Sequence, residues 1–545
     1  MNKKRIFAVF TILCLILTAG CGAGGSSESK TTGSGQEGTT VAAAAQEEAT
    51  ETGTEPAGQG VEMAARPVIE KATTINNEMN EDNTTTLVEG SHDSIRLSED
   101  SREEYPELSA ALDQIMKDGT KDYKKQVKEL LDMREDFPEN SLGAEIPNMY
   151  KENYYVRRAD SQVLSLLERT ISYAGGAHGD AAYDTVNLDA RTGAEIPLSD
   201  VVADQQLFLK AIKEELLKKY GKDMFFDELD ENIKSRLEGE GDLKPDWTLD
   251  PQGITIYFSD YDIAPYASGT QNVTLLYSAY GDLLTDQYRP AVGEGYISGF
   301  YDYYDFSVDT DGDGQPEGVS VNYSKDQDSD YIEEFEVTVN GKNVSVKNLS
   351  AYEVNQYIVY TSTGRTFLYV WTMEDSDYMT LHLFDISSGR PEAAGSVAVS
   401  PYSVLNEEDE DYSVYHQEIT DPGHLALQTR FDILSTYFAG KNYSVTDDPN
   451  PETSDPYFMV NGTITLKSKK EVTGDVVDED GNVVEESVKI PAGSAFTFYR
   501  TDGKDKVDTK LEDGRIFRIT VEGDYPPMVN GVDANELFEQ LYYAS

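Results

Sequence analysis

The feature that most constrains this chain is its N-terminal leader. A short cationic stretch, Met1–Arg5, is followed by an apolar run from Ile6 to Leu17. This run is shorter than the roughly 20 residues a helix needs to cross a bilayer, so it is typical of an export signal rather than a membrane span. The chain has two cysteines, Cys14 within the run and Cys21 after it. Cleavage before Cys21 leaves one cysteine, so no intramolecular disulfide forms and the core alone must stabilise the fold.

The leader ends in Leu17-Thr18-Ala19-Gly20-Cys21, with small residues directly before the cysteine. This ending resembles the lipobox that the lipoprotein signal peptidase cuts after the cysteine thiol has been lipidated, although the leucine lies one position further away than is usual. We therefore expect residues 1–20 to be a signal peptide. Lipid on Cys21 would hold the protein at the extracellular face of the cell membrane. The alternative is an ordinary cleaved signal peptide and a freely secreted protein.

The segment 21–90 is rich in Gly, Ser, Thr, Ala and Glu and lacks hydrophobic periodicity. Such a composition buries too little apolar surface to offset the entropy of ordering, which predicts a disordered tether. A flexible chain of this length reaches roughly 40–50 Å. The tether would lift the folded part away from the bilayer.

The formal net charge of −55 limits the kinds of partner that the protein can bind. Nucleic-acid binding requires clustered Lys and Arg, so no nucleic-acid partner is expected. An anionic surface attracts divalent cations and cationic proteins. The alternative is that the charge does not indicate any particular partner, since acidic surfaces are common on exported proteins.

The patterning of the remaining chain predicts α+β structure followed by mostly β structure. Mixed helical and strand periodicity covers 91–195 and 196–288, which we expect to form two α+β domains. From there, strands alternate with Gly, Asn and Asp turns, which predicts a β-rich region at 289–442 and a β subdomain with a terminal helix at 443–545.

Several elements in these regions are predicted individually. Apolar spacing predicts helices over 103–118 and 121–135, the second capped by Thr120. A further helix is predicted over Asp204–Tyr220, ended by Gly221. The sequence Glu479-Asp480-Gly481-Asn482 predicts a hairpin turn, and a last helix is expected over Ala534–Tyr543.

Residues between 150 and 280 carry a family resemblance. The motifs that carry it are Tyr173-Ala174-Gly175-Gly176-Ala177-His178-Gly179, Val186–Gly193, Ile196–Val202, Ile254–Phe258 and Tyr261–Gly269. Over roughly 95–285, these residues resemble the paired extracellular domains DUF4163 and DUF3298. Those domains occur in the bacterial anti-sigma factor that senses lysozyme and in the N-terminal part of a peptidoglycan deacetylase. The resemblance implies an envelope-facing binding module rather than an active site, and in the anti-sigma factor the domain binds lysozyme.

Three residues within these motifs are candidates for contact with a ligand. Gly175 and Gly176 allow a tight turn that presents His178, and the segment after the strand Ile254–Phe258 carries Tyr261 and Tyr266. The alternative for His178 is a structural histidine that satisfies backbone groups in the turn. The alternative for the tyrosines is ordinary packing.

An aspartate-rich loop is the clearest chemical motif. The residues that it offers as ligands are Asp309, Asp311, Asp313, Gln315 and Glu317. Hard oxygens at this spacing suit Ca²⁺, and Gly314 permits the sharp turn. The loop departs from an EF-hand, because position 12 is Ser320 and the flanks are predicted strands. It is similar to the strand–loop–strand calcium loops of FG-GAP-type repeats, with a structural role and weak affinity, near roughly 10⁻⁴–10⁻³ M. The alternative is an acidic hairpin turn that binds nothing.

Taken together, these features predict a surface-anchored, non-catalytic cell-envelope lipoprotein. Its expected ligand is a wall glycan such as peptidoglycan, or an extracellular protein such as lysozyme. One alternative is a hydrolase acting on cell-wall polymers through a carboxylate pair, although the sequence contains no Gly-x-Ser-x-Gly element and no zinc-ligand spacing. Another alternative is a structural assembly factor of the envelope without a small ligand.

Overall fold

The computed structural model describes most of the chain beyond residue 65. The described residues are 66–135, 146–239, 244–290, 295–301, 304–325, 331–374, 379–401, 404–406, 413–421, 424–523 and 525–543. Cys21, the signal peptide and the tether up to residue 65 lie outside them. The described chain is mostly β. No helix within it is both long enough and apolar enough to span a bilayer.

The first layer is a sheet of five strands covered by one long helix. The elements are the strands Ile69–Met79, Thr86–Leu97, Asn148–Ala159, Val163–Tyr173 and Asp180–Asp189, the short helix Glu99–Glu104 and the long helix Pro106–Glu135. Strand Thr86–Leu97 pairs antiparallel with its predecessor and parallel with Asn148–Ala159. A parallel pair requires a crossover, and the long helix supplies it.

Two predictions in this layer were wrong. The tether was predicted to extend to residue 90, but strand Ile69–Met79 and the start of Thr86–Leu97 lie before that point. Their Thr, Asn and Glu residues form the partly exposed face of a hairpin, so their polarity reflects exposure rather than disorder. The helices predicted over 103–118 and 121–135 are one helix, and Thr120 donates its hydroxyl hydrogen bond to the Met116 carbonyl (2.9 Å) inside it.

The second layer, which follows directly, joins helices to a three-stranded antiparallel sheet. Its elements are the helices Leu198–Val201, Gln205–Tyr220, Leu229–Glu238 and Tyr277–Tyr280, the 3₁₀ turns Lys222–Met224, Tyr266–Ser268 and Gly281–Leu283, and the strands Asp246–Leu249, Gly253–Phe258 and Gln271–Leu276. The predicted helix at Asp204–Tyr220 is confirmed. Asp204 accepts hydrogen bonds from the backbone of Gln206 and Leu207 (both 3.0 Å), and Gly221 ends the helix with a φ of 80°.

A third unit is an antiparallel sheet, in agreement with the β-rich prediction for 289–442. Its strands are Tyr296–Phe300, Phe306–Val308, Glu317–Lys325, Ile332–Val339, Lys342–Tyr360, Thr366–Glu374, Met379–Asp385 and Glu392–Val397. Neighbours in sequence pair with one another from Phe306–Val308 onward, and Tyr296–Phe300 adds to the edge of Lys342–Tyr360. Buried Phe335, Val337 and Phe384 fill one face of this sheet.

The remaining strands return to the first sheet and then continue beyond it. They are Ser400–Pro401, Val404–Asn406, Ser413–Asp421, His424–Phe431, Tyr437–Ser444, Phe458–Val460, Thr465–Lys467, Val472–Val477, Val483–Ile490, Ala495–Thr501, Lys506–Lys510, Ile516–Thr520, Met528–Val529 and Val532–Asp533. Strand Ser413–Asp421 pairs antiparallel with Ile69–Met79. Strand Tyr437–Ser444 pairs on both sides, so residues before and after position 442 share one hydrogen-bonded ladder.

The C-terminal end shows one confirmed turn and one shortened helix. The Gly481 N–H donates to the Asp478 carbonyl (3.0 Å) at the predicted hairpin turn, where Val477 pairs with Val483. The helix predicted over Ala534–Tyr543 spans only Ala534–Leu537. It ends there because the backbone of residues 537–539 pairs with Lys467 and Lys469 instead.

Candidate functional site

The three residues predicted to face a ligand lie together at the surface. The rings of His178 and Tyr266 are stacked, with centroids 3.9 Å apart and planes 26° apart. Tyr261 extends the row, since its ring centroid lies 5.7 Å from that of Tyr266 at 30°. His178 is exposed and Tyr261 is 53% exposed. The result is a row of three aromatic rings at the surface, with a half-buried Tyr266 in contact with both of the others; contact of the row with a ligand stays a prediction.

The turn that carries His178 depends on glycine. Gly175 and Gly176 have φ values of 85° and 101°, which L side chains rarely adopt. Gly179 lies so close to the preceding strand that a Cβ atom there would stand 2.5 Å from the Ser172 carbonyl oxygen. His178 Nδ1 lies 3.0 Å from the Gly179 carbonyl oxygen and therefore carries the proton of the neutral ring. Its Nε2 is then left as an acceptor.

The loop that carries the two tyrosines is held by a local turn. The Ser259 N–H donates to Asp262 Oδ2 (2.8 Å), the Asp262 N–H donates back to the Ser259 carbonyl (3.1 Å), and Arg236 pairs with Asp262. Within this turn Tyr261 has a φ of 67°. A bulky residue in the left-handed region is strained, and such strain gathers at functional sites.

The tyrosine loop docks directly on the strand that follows the histidine turn. The Ala181 N–H donates to Asp260 Oδ2 (2.8 Å), and the Asp260 N–H donates to the Ala181 carbonyl (3.2 Å). The Tyr183 N–H donates to Ser259 Oγ (2.9 Å). These three hydrogen bonds, one between two backbone groups and two from backbone N–H groups to side chains, hold the tyrosine loop beside the strand that follows His178.

A groove of about 590 Å³ runs beside the aromatic row. Its lining residues are Glu89, Ile146, Pro147, Met149, Arg169, Ile171, Ser172, Tyr173, Gly176, Ala177, Gly179, Asp180, Ala181, Asp260 and Tyr266. Apolar side chains form one part of this wall, and Ile146 is 55% exposed. The groove thus combines apolar surface, an aromatic face and several carboxylates, which is the composition of a ligand site.

The charged groups of the groove have distinct environments. Burial raises the pKa of Asp260 above its ordinary value, and the nearby Asp180 carboxylate raises it further. Arg169 acts in the opposite direction on that pKa, while its guanidinium lies 4.0 Å from the Tyr301 ring centroid. The groove therefore holds one partly buried carboxylate that gains from a positive neighbour.

Sequence reasoning missed these groove residues. Asp260 had a usable signal, because an acidic residue directly beside Tyr261 follows a buried strand. Arg169 and Asp180 had no such signal, because each is a polar residue in a strand, where polar and apolar residues commonly alternate. Their meeting depends on the docking of the tyrosine loop, which no local pattern indicates.

The aspartate-rich loop joins two paired strands, as predicted. Phe306–Val308 and Glu317–Lys325 are antiparallel, with Val308 opposite Glu317. The loop is compact because Asp309 accepts hydrogen bonds from the N–H groups of Gly312 (2.8 Å) and Gly314 (3.0 Å). It is a strand–loop–strand unit.

Three of the five predicted metal ligands converge in this loop. Carboxylate oxygens of Asp309, Asp311 and Glu317 all lie within 4.8 Å of one another. Asp313 accepts from the Gln315 N–H (2.7 Å) instead, and neither residue belongs to the three. Burial raises the pKa of Glu317, and its Oε2 accepts two hydrogen bonds from Thr310. All three donors are hard oxygens, so the set fits a divalent cation such as Ca²⁺.

The aspartate-rich loop is anchored on the second layer. The Asp309 N–H donates to Gln252 Oε1, and Gln252 Nε2 donates to the Asp309 carbonyl, both at 3.0 Å. Lys219 Nζ donates to the Asp305 carbonyl at 3.1 Å. Any cation bound here would therefore tie the third unit to the second layer.

Comparison with known proteins shows a family match for part of this chain. Residues 199–278 match the family described as protein of unknown function DUF3298. A solved member of that family from Bacteroides fragilis is 17% identical, and the match covers 42% of this chain and 96% of that chain at a TM-score of 0.32. A DUF3298 family protein from Pseudomonas aeruginosa is 18% identical over 42% of this chain and 98% of that chain, with a TM-score of 0.27. No curated protein matches this chain.

The family match bears on the predicted division of the chain. It falls within the predicted bounds 196–288, whereas the DUF4163-like assignment of 91–195 stays a prediction. The matched residues include the whole tyrosine loop, with Asp260, Tyr261 and Tyr266. The similarity to the DUF3298 family is thus shown for residues 199–278.

Proposed function

We propose that this protein is a non-catalytic glycan-binding lipoprotein of the cell envelope, and that the groove beside His178, Tyr261 and Tyr266 receives a wall glycan such as peptidoglycan. The observation that carries the proposal is the row of three aromatic rings at the surface, of which Tyr266 also lines the groove. Large exposed aromatic faces cost free energy in water, and a row of them beside a cavity favours a ligand with flat apolar faces.

A sugar ring matches this surface. Its C–H groups carry slight positive charge and meet the negative face of an aromatic ring, while its hydroxyls point outward around its rim. In the groove, the carboxylates of Asp180 and Asp260 and the carbonyl of Gly176 are acceptors for such hydroxyls. An elongated glycan would cover Tyr261 and Tyr266 with successive units.

A cationic extracellular protein such as lysozyme is the second candidate. The net charge of −55 favours it, because long-range attraction speeds encounters with a basic partner. The groove adds three acidic side chains, Glu89, Asp180 and Asp260, against one guanidinium, Arg169. A protein would also contact the rim beyond the groove, so it should depend more on ionic strength and less on any one ring.

Membrane anchoring and calcium binding belong to the same proposal. Lipid on Cys21 would place the groove outside the cell at the end of the N-terminal tether. Calcium held by Asp309, Asp311 and Glu317 would stabilise the junction at Gln252. This role is structural, since the residues of the loop do not line the groove.

Sedimentation of the purified full-length chain with peptidoglycan tests the proposal. The unchanged protein should sediment with purified sacculi, and Tyr266→Ala should weaken retention about three- to tenfold, the range expected for one aromatic contact. Tyr525→Ala is the matched control, because Tyr525 is 77% exposed and does not line the groove. A parallel titration with lysozyme at low and high salt examines the second candidate. Retention that is absent for sacculi under all conditions would refute glycan binding.

A further inference from the structure

The groove is more acidic than recognition of a neutral sugar requires. Of its three carboxylates, Glu89 has Lys151 within 3.6 Å, and both of these side chains are exposed. Asp180 and Asp260 come together only because the tyrosine loop docks on strand Asp180–Asp189. The single guanidinium of the wall, Arg169, lies over the Tyr301 ring. The interior of the groove therefore carries excess negative charge.

Among the three carboxylates of the groove, Asp260 has the least satisfied environment, and Arg169 Nε in the same wall also has no hydrogen-bond partner among the described residues. Its Oδ2 accepts the Ala181 N–H, whereas its Oδ1 is buried without a hydrogen-bond partner among the described residues. A buried carboxylate oxygen that lacks a donor is costly. Burial and the Asp180 carboxylate both raise the pKa of Asp260, which means that its charged form gains from an added cation.

The aromatic row also favours a positively charged ligand. Ring faces attract cations as well as C–H groups, and the Tyr266 ring lines the groove together with the two aspartates. A ligand that places a positive group near Asp260 and an apolar sugar face on Tyr266 uses both surfaces at once.

We propose that the groove selects glycans with free primary amino groups, that is, hexosamine units without the N-acetyl group. The ammonium group lies against Asp260 and Asp180, and the sugar ring packs against the part of the Tyr266 ring that His178 does not cover. An acetylated unit presents a neutral amide at this point and loses the charge-assisted contact. This inference rests on the proposed glycan binding and names the class of glycan.

Two oligosaccharides that differ only at nitrogen test the inference. Glucosamine tetramer and N-acetylglucosamine tetramer share their linkage and length, so calorimetric titration of each into the full-length chain at pH 6 isolates the effect of the amino group. The amino form should bind about tenfold more tightly, as one charge-assisted contact allows. A lysine tetrapeptide is a third ligand, which should bind weakly because it lacks the sugar face.

Variants separate specific binding from general attraction to an anionic protein. Asp260→Asn should abolish the preference for the amino form while binding of the acetylated form persists. The matched control Asp282→Asn removes the same charge from an exposed position outside the groove and should keep the preference. Tyr266→Ala should weaken both oligosaccharides.

The possible outcomes distinguish failure of this inference from failure of the proposed glycan binding. Equal binding of the two tetramers, or a preference that survives Asp260→Asn, overturns the inference and leaves glycan binding intact. Binding of neither tetramer refutes the inference and the proposed function together. Tight binding of the lysine peptide with loss of both sugars would also overturn the inference, since it would assign the groove to basic peptides.

Discussion

His178 and Tyr266 belong to different layers of the fold, yet their rings stack at a centroid distance of 3.9 Å. The histidine lies on a glycine turn after strand Val163–Tyr173, and the tyrosine lies within residues 199–278, which match the DUF3298 family. Two hydrogen bonds between Asp260 and Ala181 hold the two segments in place, one between backbone groups and one from the Ala181 N–H to the Asp260 carboxylate. The aromatic row is thus assembled at a junction between two layers rather than within one element.

The first prediction concerns the histidine ring itself. If His178 acts by stacking, His178→Phe should retain glycan binding because a flat ring remains over Tyr266, whereas His178→Ala should weaken it about threefold or more. Calorimetric titration with a soluble peptidoglycan fragment measures both. Equal losses in the two variants would instead assign the effect to an imidazole nitrogen.

The second prediction concerns the strained tyrosine. Tyr261 has a φ of 67°, which costs an L residue about 1–2 kcal/mol. Tyr261→Gly should therefore stabilise the fold by about 1 kcal/mol while it weakens glycan binding. Chemical unfolding together with the sedimentation assay checks both effects. Tyr525→Gly is the comparison, because Tyr525 is exposed and has no positive φ. An unchanged or lowered stability for Tyr261→Gly would show that the loop gains nothing from relief of strain.

The sequence predicts the parts of the site better than their assembly. Gly175, Gly176 and the tyrosine-rich segment are local signals, and they pointed to His178, Tyr261 and Tyr266. The end of the helix at Gly221 and the turn at Gly481 are local too, and both predictions are confirmed. Arg169 and Asp180 could not be found, because their role depends on which loop packs beside their strands.

The errors have the same origin in tertiary structure. The polar composition of residues 66–90 predicted disorder, but Ile69–Ile75 pair with the strand Ser413–Asp421, which lies far along the chain. The terminal helix was overestimated because Lys467 and Lys469 compete for its last backbone groups. Periodicity within a window carries no information about such distant partners.

The third prediction concerns the aspartate-rich loop. Calcium at ten times its dissociation constant should stabilise the protein by about 1.4 kcal/mol, and a chelator should remove the effect. Asp311→Asn should abolish the response, since Asp311 belongs to the three converging carboxylates. Asp313→Asn should keep it, because Asp313 is directed to the Gln315 N–H. Thermal unfolding with and without calcium is the measurement. If calcium changes the melting temperature of none of these proteins, the loop is an ordinary turn that binds no cation.

The fourth prediction concerns acid stability. Burial lowers the pKa of His382 from 6.5 to about 4, and the ring lies against Phe335 with its Nε2 3.2 Å from Thr372 Oγ1. The folded state resists protonation, so its full stability is present above pH 6.5 and is lost as the pH falls toward 4. The loss should be on the order of 2–3 kcal/mol. In the variant His382→Gln, the free energy of unfolding should depend less on pH between pH 6.5 and 4. If it falls as steeply as in the unchanged protein, carboxylates rather than His382 cause the loss of stability in acid.

The fifth prediction concerns a buried aspartate in the C-terminal sheet. Asp508 is 1% exposed and accepts hydrogen bonds from Arg500 Nε (2.8 Å) and Arg518 Nε (2.6 Å). The two guanidiniums in turn donate to carbonyls of the hairpin turn, including that of Gly481 (3.0 Å). Asp508→Asn leaves two buried cations without their counter-charge and should destabilise the fold by about 3 kcal/mol.

The matched control for Asp508 is another aspartate beside an arginine. Asp513 pairs with Arg515 at the surface, where both side chains are largely exposed, so Asp513→Asn should change stability little. Urea unfolding compares the two variants, and amide exchange at Gly481 reports whether the turn loosens with Asp508→Asn alone. Equal stability of both variants would mean that water reaches the arginines in the folded state, because only solvation could then replace the lost charge.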